Sequence, residues 1–419
     1  MKKILLVLLL VTVFSPRIHA QLYNNPFLTA YAPGIKNAFS HRLQAGGSYD
    51  ISSTAINNHF FNTYLFSNFI DAETKENVLP KLGDKNRLGA NIDQYLFYTW
   101  RKKNNERTGF FTTLKARRQY GSVFTKDAFT LLFFGNARYA GKTAVFDGSS
   151  YYRNVYQTLQ FGMYTQANKN MTIGGGIGLV RGSRFTNLNI NQGSIFTSEI
   201  GDSIHLSADV DAKYANLRGN GNKGDGIGGV ANFFAVYNLG DDKSFIQFSV
   251  NDLGFLYINK FSHSYETSQQ VAYTGYEINS FNNDFNGGNA ELLPQKLYKD
   301  VDSNQVEKAF TAALPAQIQL QYKQMLGKKT YALLGVEYFA AAKHLPSFHI
   351  NIGQEIVKGF ALQGGFNMLG YGKYGINLGT NITIAKSWNL IAGTEHLEAI
   401  FSPKNTYGQG AYVSLAKGF

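Results

Sequence analysis

The chain contains no cysteine in 419 residues. An exported protein of this length without disulfides must be held by a large core or by closure of a sheet. With no cysteine after the leader, the mature N-terminus cannot be lipidated on sulfur. Beyond residue 20 there is also no apolar run of eighteen or more residues, which excludes a membrane-spanning helix. If the chain crosses a membrane, it must do so with strands in a closed barrel, because lipid tolerates no open sheet edge. HExxH spacing and EF-hand spacing are missing, and no GK[ST] follows the GGGIG run to make it a phosphate loop. The GGGIG run at 174–178 lies within a strand and reads as small residues facing crowded side chains.

The first twenty residues, MKKILLVLLLVTVFSPRIHA, have a positive start and a short apolar core, then Ser15, Pro16 and Arg17. They read as a secretory signal peptide, with the mature chain starting near Gln21. Removing Lys2, Lys3 and Arg17 lowers the formal charge from +12 to +9. The basic residues are scattered and fall beside turns, as in RKKNNER at 101–107, so lipid headgroups are a better expected partner than nucleic acid. Arg117 and Arg118 are read in the same way, as strand-end residues. Glycine is abundant at 43 residues, with 33 Phe and 26 Tyr, which fits many strands with crowded backbones.

Alternation with a period of two is clearest in the last third. Ile376, Leu378, Ile382 and Ile384 alternate with Gly375, Asn377, Gly379, Asn381 and Thr383. The first set is expected to face lipid. Gln317, Gln319 and Gln321 alternate with Ile318 and Leu320, and His349 and Asn351 alternate with Phe348 and Ile350. With Asn377 and Asn381 they are expected to face a lumen. These segments run to about nine to twelve residues, where membrane strands need about nine to eleven and ordinary strands average about five or six. The final YGQGAYVSLAKGF puts Ala411, Val413 and Leu415 on one face. Tyr412, Val413, Leu415 and Phe419 resemble a C-terminal signal for the outer-membrane assembly machinery.

The fold class expected is all-β: a transmembrane antiparallel β-barrel of fourteen strands, with sixteen as the alternative count. AKS at 385–387, VKG at 357–359, LGKK at 326–329 and GDDK at 240–243 read as short periplasmic turns. The 257–315 segment reads as a long extracellular loop, with a short helix over Asn304 to Ala313. The barrel is placed at 47–419, with 21–46 as a leader or plug and 59–93 as an outer loop or short helix. Candidate strands in the first half are 47–57, 94–101, 109–120, 128–139, 157–166, 171–181, 203–216, 228–239 and 244–256. With seven later strands they total sixteen. That count assigns QANKN at 166–170 to the outside, although it looks like a tight inner turn.

No histidine has a partner at metal or catalytic spacing, and nothing places Ser249 and His205 in reach of each other. The chain is therefore read as no enzyme, with no cofactor. The stretches NNPFLTAYAPG, LPAQIQLQYKQMLGKKTYALLGVEY and FSPKNTYGQGAYVSLAKGF resemble a family of Bacteroidota outer-membrane barrels of unknown function. That family is distantly similar to fatty-acid-transporter barrels and to barrels of type IX secretion. The resemblance implies around fourteen strands, an outer-membrane location and no catalytic residues. Two functions are expected from the chain as a whole. One is a structural or partner-binding component of a cell-envelope or secretion complex. The other is a channel or transporter for small hydrophobic or polar solutes. The expected partners are outer-membrane lipids and lipopolysaccharide, the assembly machinery and a protein of the envelope complex.

Overall fold

Strands with one apolar and one polar face need two different solvents, and a closed barrel supplies them. The computed structural model describes residues 40–67, 69–102, 105–201, 203–216, 226–239, 244–259, 264–273, 306–384 and 387–419. Strands β1 (His41–Ser53), β2 (Asn86–Lys102) and β3 (Asn105–Phe124) come first, with helices α1 (Asn58–Phe66) and α2 (Ala72–Glu76) between β1 and β2. Helix α3 (Lys126–Phe134) and β4 (Lys142–Val145) precede β5 (Ser150–Gln166), β6 (Met171–Thr197) and β7 (Ile204–Asn216). Next are β8 (Gly226–Asn238), β9 (Ser244–Ile258), β10 (Ser264–Tyr273), β11 (Val306–Glu307) and β12 (Phe310–Ala313). The remainder is β13 (Gln317–Met325), β14 (Thr330–Phe339), β15 (Ser347–Val357), β16 (Phe360–Leu369), β17 (Tyr374–Ile384), β18 (Trp388–Thr394), helix α4 (Glu398–Phe401) and β19 (Gly408–Gly418).

Among the described residues, fourteen of these strands form a closed antiparallel wall, in the order β1, β2, β3, β5, β6, β8, β9 and then β13 to β19. Strand β19 returns to β1 in an unbroken register from Arg42↔Gly418 to Ser52↔Gly408. At the seam Phe419 N–H donates to the His41 carbonyl at 2.9 Å. The connections at 167–170, 326–329 and 358–359 are short and lie at one end, with His41 and Phe419. The other end carries the helices and the long connections.

Several expectations are corrected. The segment 128–139 is no strand. Thr125 caps α3 by accepting from Ala128 N–H at 3.0 Å, Asp127 sits in the first turn, and Gly135 ends the helix with φ of 78°. Its KDAFTLLFF sequence is apolar on both faces, and a short apolar run does not separate strand from buried helix. The segment 203–216 is a strand but not wall: β7 folds back on the far half of β6 and pairs with β10 beyond the barrel. Removing these two from sixteen leaves fourteen. It also returns 166–170 to the short-turn end. Within the long 257–315 connection, Val306–Glu307 and Phe310–Ala313 are strands rather than helix, and β12 prolongs β13 along β9 across Pro315. The wall begins at His41, inside the segment read as leader or plug. Residues 21–39 and the GDDK turn at 240–243 lie outside the described residues.

The outer face is apolar and exposed. Leu96, Leu114, Leu159 and Leu179 stand side by side across β2, β3, β5 and β6. Tyr322, Leu334, Ile350, Phe366 and Ile376 do the same from β13 to β17. Lys417 also faces outward, with its ammonium 5.0 Å from the Trp388 ring centre and 4.7 Å from that of Phe419. Cation–π contact at the rim gives this charge a setting beside the apolar belt of the outer face.

Deleting Phe419 removes the seam hydrogen bond and the rim aromatic together. It is expected to lower the fraction of chain in membranes that migrates as folded barrel in unheated gels. An unchanged fraction would count against a role for this residue in assembly.

Candidate functional site

The lumen is built in layers. Toward the short-turn end Tyr95, Phe97, Phe111, Tyr164, Phe234 and Phe245 form a buried aromatic cluster, with the Phe97 and Phe111 rings 5.8 Å apart. The GGGIG run lies against it. A Cβ on Gly174 would collide with the Phe234 ring, and one on Gly176 would press on Phe111. Glycine is needed there so that aromatic rings can lie against the wall backbone.

Above this layer lies an ion network that the sequence reading missed. Arg117 on β3 is only 2% exposed. Its Nε and Nη2 donate to the two carboxylate oxygens of Asp93 at 2.6 and 2.7 Å. Its Nη1 lies 3.0 Å from Asp252 Oδ2, and Nη2 reaches Gln317 Oε1 at 3.2 Å. Lys115, two residues away on the same face, pairs with Asp252 at 2.5 Å, and the Tyr156 hydroxyl donates to the same carboxylate at 2.9 Å. Gln317 and Gln319 both donate to Glu337 Oε2, at 2.7 and 2.5 Å. The reading of Arg117 and Arg118 as alike is corrected. They are neighbours in a strand, so they point to opposite sides: Arg117 into the lumen, Arg118 outward. The overlooked signal was the i, i+2 spacing of Lys115 and Arg117 inside a strand that runs on to Phe124.

Asp252 reaches the network through a β-bulge. Its backbone is left-handed, with φ of 56°, and the β8–β9 register shifts between Ala231 and Phe233. The bulge turns both Asn251 and Asp252 inward, where strict alternation would send one out. Asn232 Oδ1 accepts the Asp252 N–H at 2.8 Å and holds the kink.

Beside the network is a cavity of about 150 Å³, lined by Asp50, Asp93, Arg117, Glu337, Gln363, His396 and Tyr412 among others. Gln317, Gln319, His349, Asn351 and Asn377 line it too, whereas Gln321 and Asn381 lie buried on the inward face outside it. Ile376, Leu378, Ile382 and Ile384 stand on the outward face. Of the terminal set, Val413, Leu415 and Phe419 are exposed on the outside, and Tyr412 turns inward to the cavity.

The mouth at the long-connection end is tightly packed. Tyr371, in the turn between β16 and β17, lies over Gly89 and donates to the Ala342 carbonyl at 2.6 Å. His344 meets its ring edge-on at 4.8 Å, and burial lowers the His344 pKa to about 4. Helices α1 and α3 add an apolar cap through Phe60, Phe61 and Phe129. Just past β18, His396 bonds Asp50 Oδ1 at 2.9 Å and Glu398 Oε1 at 3.2 Å. Burial acts to lower the His396 pKa, but the bonds to Asp50 and Glu398 outweigh it and raise the value to about 10. Burial, with Asp50 nearby, raises the pKa of Glu395.

The structure does not bring Ser249 and His205 together. Ser249 donates to Gln319 in the lumen at 3.3 Å, and His205 lies tilted beside the Phe196 ring, centroids 5.9 Å apart, in the β6–β7 extension. Among the described residues no group of three or more His, Asp or Glu is placed to hold a metal ion.

Residues 37–394 match the model of a family of unknown function, DUF5723. No curated protein matches the chain. Among solved structures, the chain is similar to the Pseudomonas putida toluene transporter TodX, at 11% identity and a TM-score of 0.44 over 95% of each chain. It is also similar to the Ralstonia pickettii toluene transporter TbuX, at 9% and 0.40 over 94% of each. A Pseudomonas aeruginosa FadL homologue matches at 9% and 0.41, over 90% of this chain and 89% of that one.

Two outcomes test the site. Arg117→Ala leaves Asp93 without its bidentate partner and is expected to cost about 3–5 kcal/mol of stability, as for removal of one partner from a buried pair. Arg117→Lys should recover only part, since a point charge cannot bridge Asp93 and Asp252 together. Urea unfolding midpoints in detergent measure both, and an unshifted midpoint for Arg117→Ala refutes the bracing role. The raised His396 pKa gives stability that is whole below the free histidine value of about 6.5 and is lost as pH rises through about 10. The wild-type midpoint should therefore fall over that window, with a shallower fall for His396→Gln. Parallel slopes would rule out this histidine as the source.

Proposed function

We propose that this chain, which belongs to the DUF5723 family, is an outer-membrane barrel whose lumen takes up a small polar solute. The observation that carries this is the chemistry of the cavity wall. Thr113 Oγ1, Asn351 Oδ1 and Asn367 Oδ1 line it, buried and without a hydrogen-bond partner among the described residues. Buried polar atoms seek partners, and with none supplied by the described residues these suit water or a solute in the cavity. The surrounding side chains are mostly amides, carboxylates and tyrosines. Such a wall favours a solute rich in hydroxyl or amide groups over a hydrocarbon. The exposed apolar outer face supports placement in a lipid bilayer, with the short-turn end toward the periplasm.

A second reading has its own support. The far half of β6 with β7 and β10 forms a sheet that extends past the wall at the long-connection end. An extension of this kind suits docking of a protein partner from the cell envelope. Stoichiometric co-purification from native membranes, lost when the β6–β7 hairpin is shortened, would favour it.

Uptake into proteoliposomes tests the solute reading. A panel of small neutral sugars and amides should enter vesicles holding the wild-type barrel. Asn351→Leu with Asn367→Leu should suppress entry while the protein still migrates as folded barrel. Absence of entry by the wild type, or entry equal in the variant, overturns the proposal.

A further inference from the structure

The outer face changes character abruptly on one sector. Leu96, Leu114, Leu159 and Leu179 form a continuous row across β2, β3, β5 and β6. Two residues farther from the short-turn end, the same four strands present Gln94, Ala116, Gln157 and Arg181, again in direct register. The next row is Ile92, Arg118, Val155 and Arg184. The row beyond adds Arg153, whose guanidinium lies 5.5 Å from the Tyr120 ring centre. Four arginines therefore stand on one outward patch of three adjacent wall strands, directly above an apolar belt.

A second bulge builds the patch. Positions 181 and 184 would face opposite sides in a regular strand. The β5–β6 register shifts between Val155 and Tyr156, so that Gln157 opposes Arg181 while Val155 opposes Arg184. Ser183 is the extra residue, and its hydroxyl donates to the Val155 carbonyl at 3.2 Å. The bulge thus keeps Arg181 and Arg184 both outside. Here the wall carries a pocket of about 240 Å³, lined by Gln94, Arg118, Gln157, Arg181 and Ser183 from the outer face. Among the described residues no acidic side chain lines it, and the inward Arg117 at its floor is already paired with Asp93 and Asp252.

We propose that this pocket binds the phosphate of an anionic glycolipid headgroup in the outer leaflet, whose acyl chains lie along the leucine row. Guanidinium forks match phosphate oxygens, and the glutamines and serine can meet neighbouring sugar hydroxyls. A charge in lipid is costly unless it sits at headgroup depth beside a counter-charge. Four arginines over an apolar belt sit at such a depth, and Arg118 and Arg181 bring two of them to the pocket where an anionic headgroup would lie. The proposal rests on the barrel spanning a bilayer and is independent of what the lumen carries.

Native mass spectrometry of the purified full chain in detergent tests it, with diphosphorylated lipid A as probe. The wild type should retain the lipid, and so should Lys358→Ala at the opposite end of the barrel. Arg118→Gln and Arg181→Gln should each weaken retention by about tenfold, the usual effect of losing one charge-assisted hydrogen bond. The combined variant should lose retention while migrating as folded barrel, and the single variants decide the matter if it does not fold. Equal retention by the variants, or equal retention of dephosphorylated lipid A by the wild type, overturns the proposal. Displacement of the lipid by millimolar inorganic phosphate would mark a free-anion site and overturn it too.

Discussion

Every other feature of this chain depends on the absence of a free strand edge. In hydrocarbon an unpaired backbone group has no water to turn to, so a spanning sheet must close. The β1–β19 pairing, unbroken from Arg42↔Gly418 to Ser52↔Gly408, supplies that closure. Once the wall is closed, side-chain alternation has one meaning all the way round. One parity faces outward, as with Leu415 and Leu96, and the other faces an enclosed space, as with Gln44 and Ser414, joined by a hydrogen bond at 2.8 Å. The absence of disulfides needs no further compensation, because a ring of paired strands has no end from which to fray.

Closure alone leaves an interior wide enough to deform, and the side chains brace it. Arg117 belongs to the third wall strand, yet it contacts Asp252 on the seventh and Gln317 on the eighth, with the Phe339 ring on the ninth 5.2 Å away. These contacts cross the lumen rather than run along the wall. Burying two cations and two carboxylates is expensive, and an apolar filling could be as stable. What the ionic strut gives is a fixed span between opposite walls. Its side chains form part of the wall of the polar cavity, and the aromatic layer lies nearer the short turns. Fixed polar walls are what a solute site needs, since selectivity depends on groups that do not collapse on one another.

Much of the architecture was legible because a barrel writes itself as a period of two. The β13 to β19 region could be read almost residue by residue: Ile376, Leu378, Ile382 and Ile384 stand outside, and Asn377 and Asn381 inside. Two of the misread segments misled for clear physical reasons. KDAFTLLFF is apolar without period, so its helical state depends on Thr125, Gly135 and packing against Phe60, which no strand pattern can reveal. Residues 203–216 alternate as a wall strand does, because β7 also forms a sheet. Pairing partners, not periodicity, decide whether a strand belongs to the wall. The ion network was hidden differently. Lys115, Arg117 and Asp252 are separated by up to 137 residues, and only the three-dimensional ring brings them together.

The informative places are those where alternation fails. At Asn251–Asp252 the chain inserts a residue, accepts a left-handed backbone, and gains an inward carboxylate that joins Lys115, Arg117 and Tyr156. At Ser183 it inserts another, and gains two outward arginines three residues apart. A regular strand could place neither set, because a period of two fixes the face of every side chain once the register is chosen. Each bulge costs ladder hydrogen bonds and some strain, and a wall selected only for stability would shed both. Their presence at the centre of the ionic strut and at the arginine patch ties the irregularities to chemistry rather than to folding. The register also shifts at Arg101–Lys102 and Glu355–Val357, near the short-turn end, but the bulges at Ser183 and Asp252 are the two that re-aim charged side chains, one set inside the wall and one outside it.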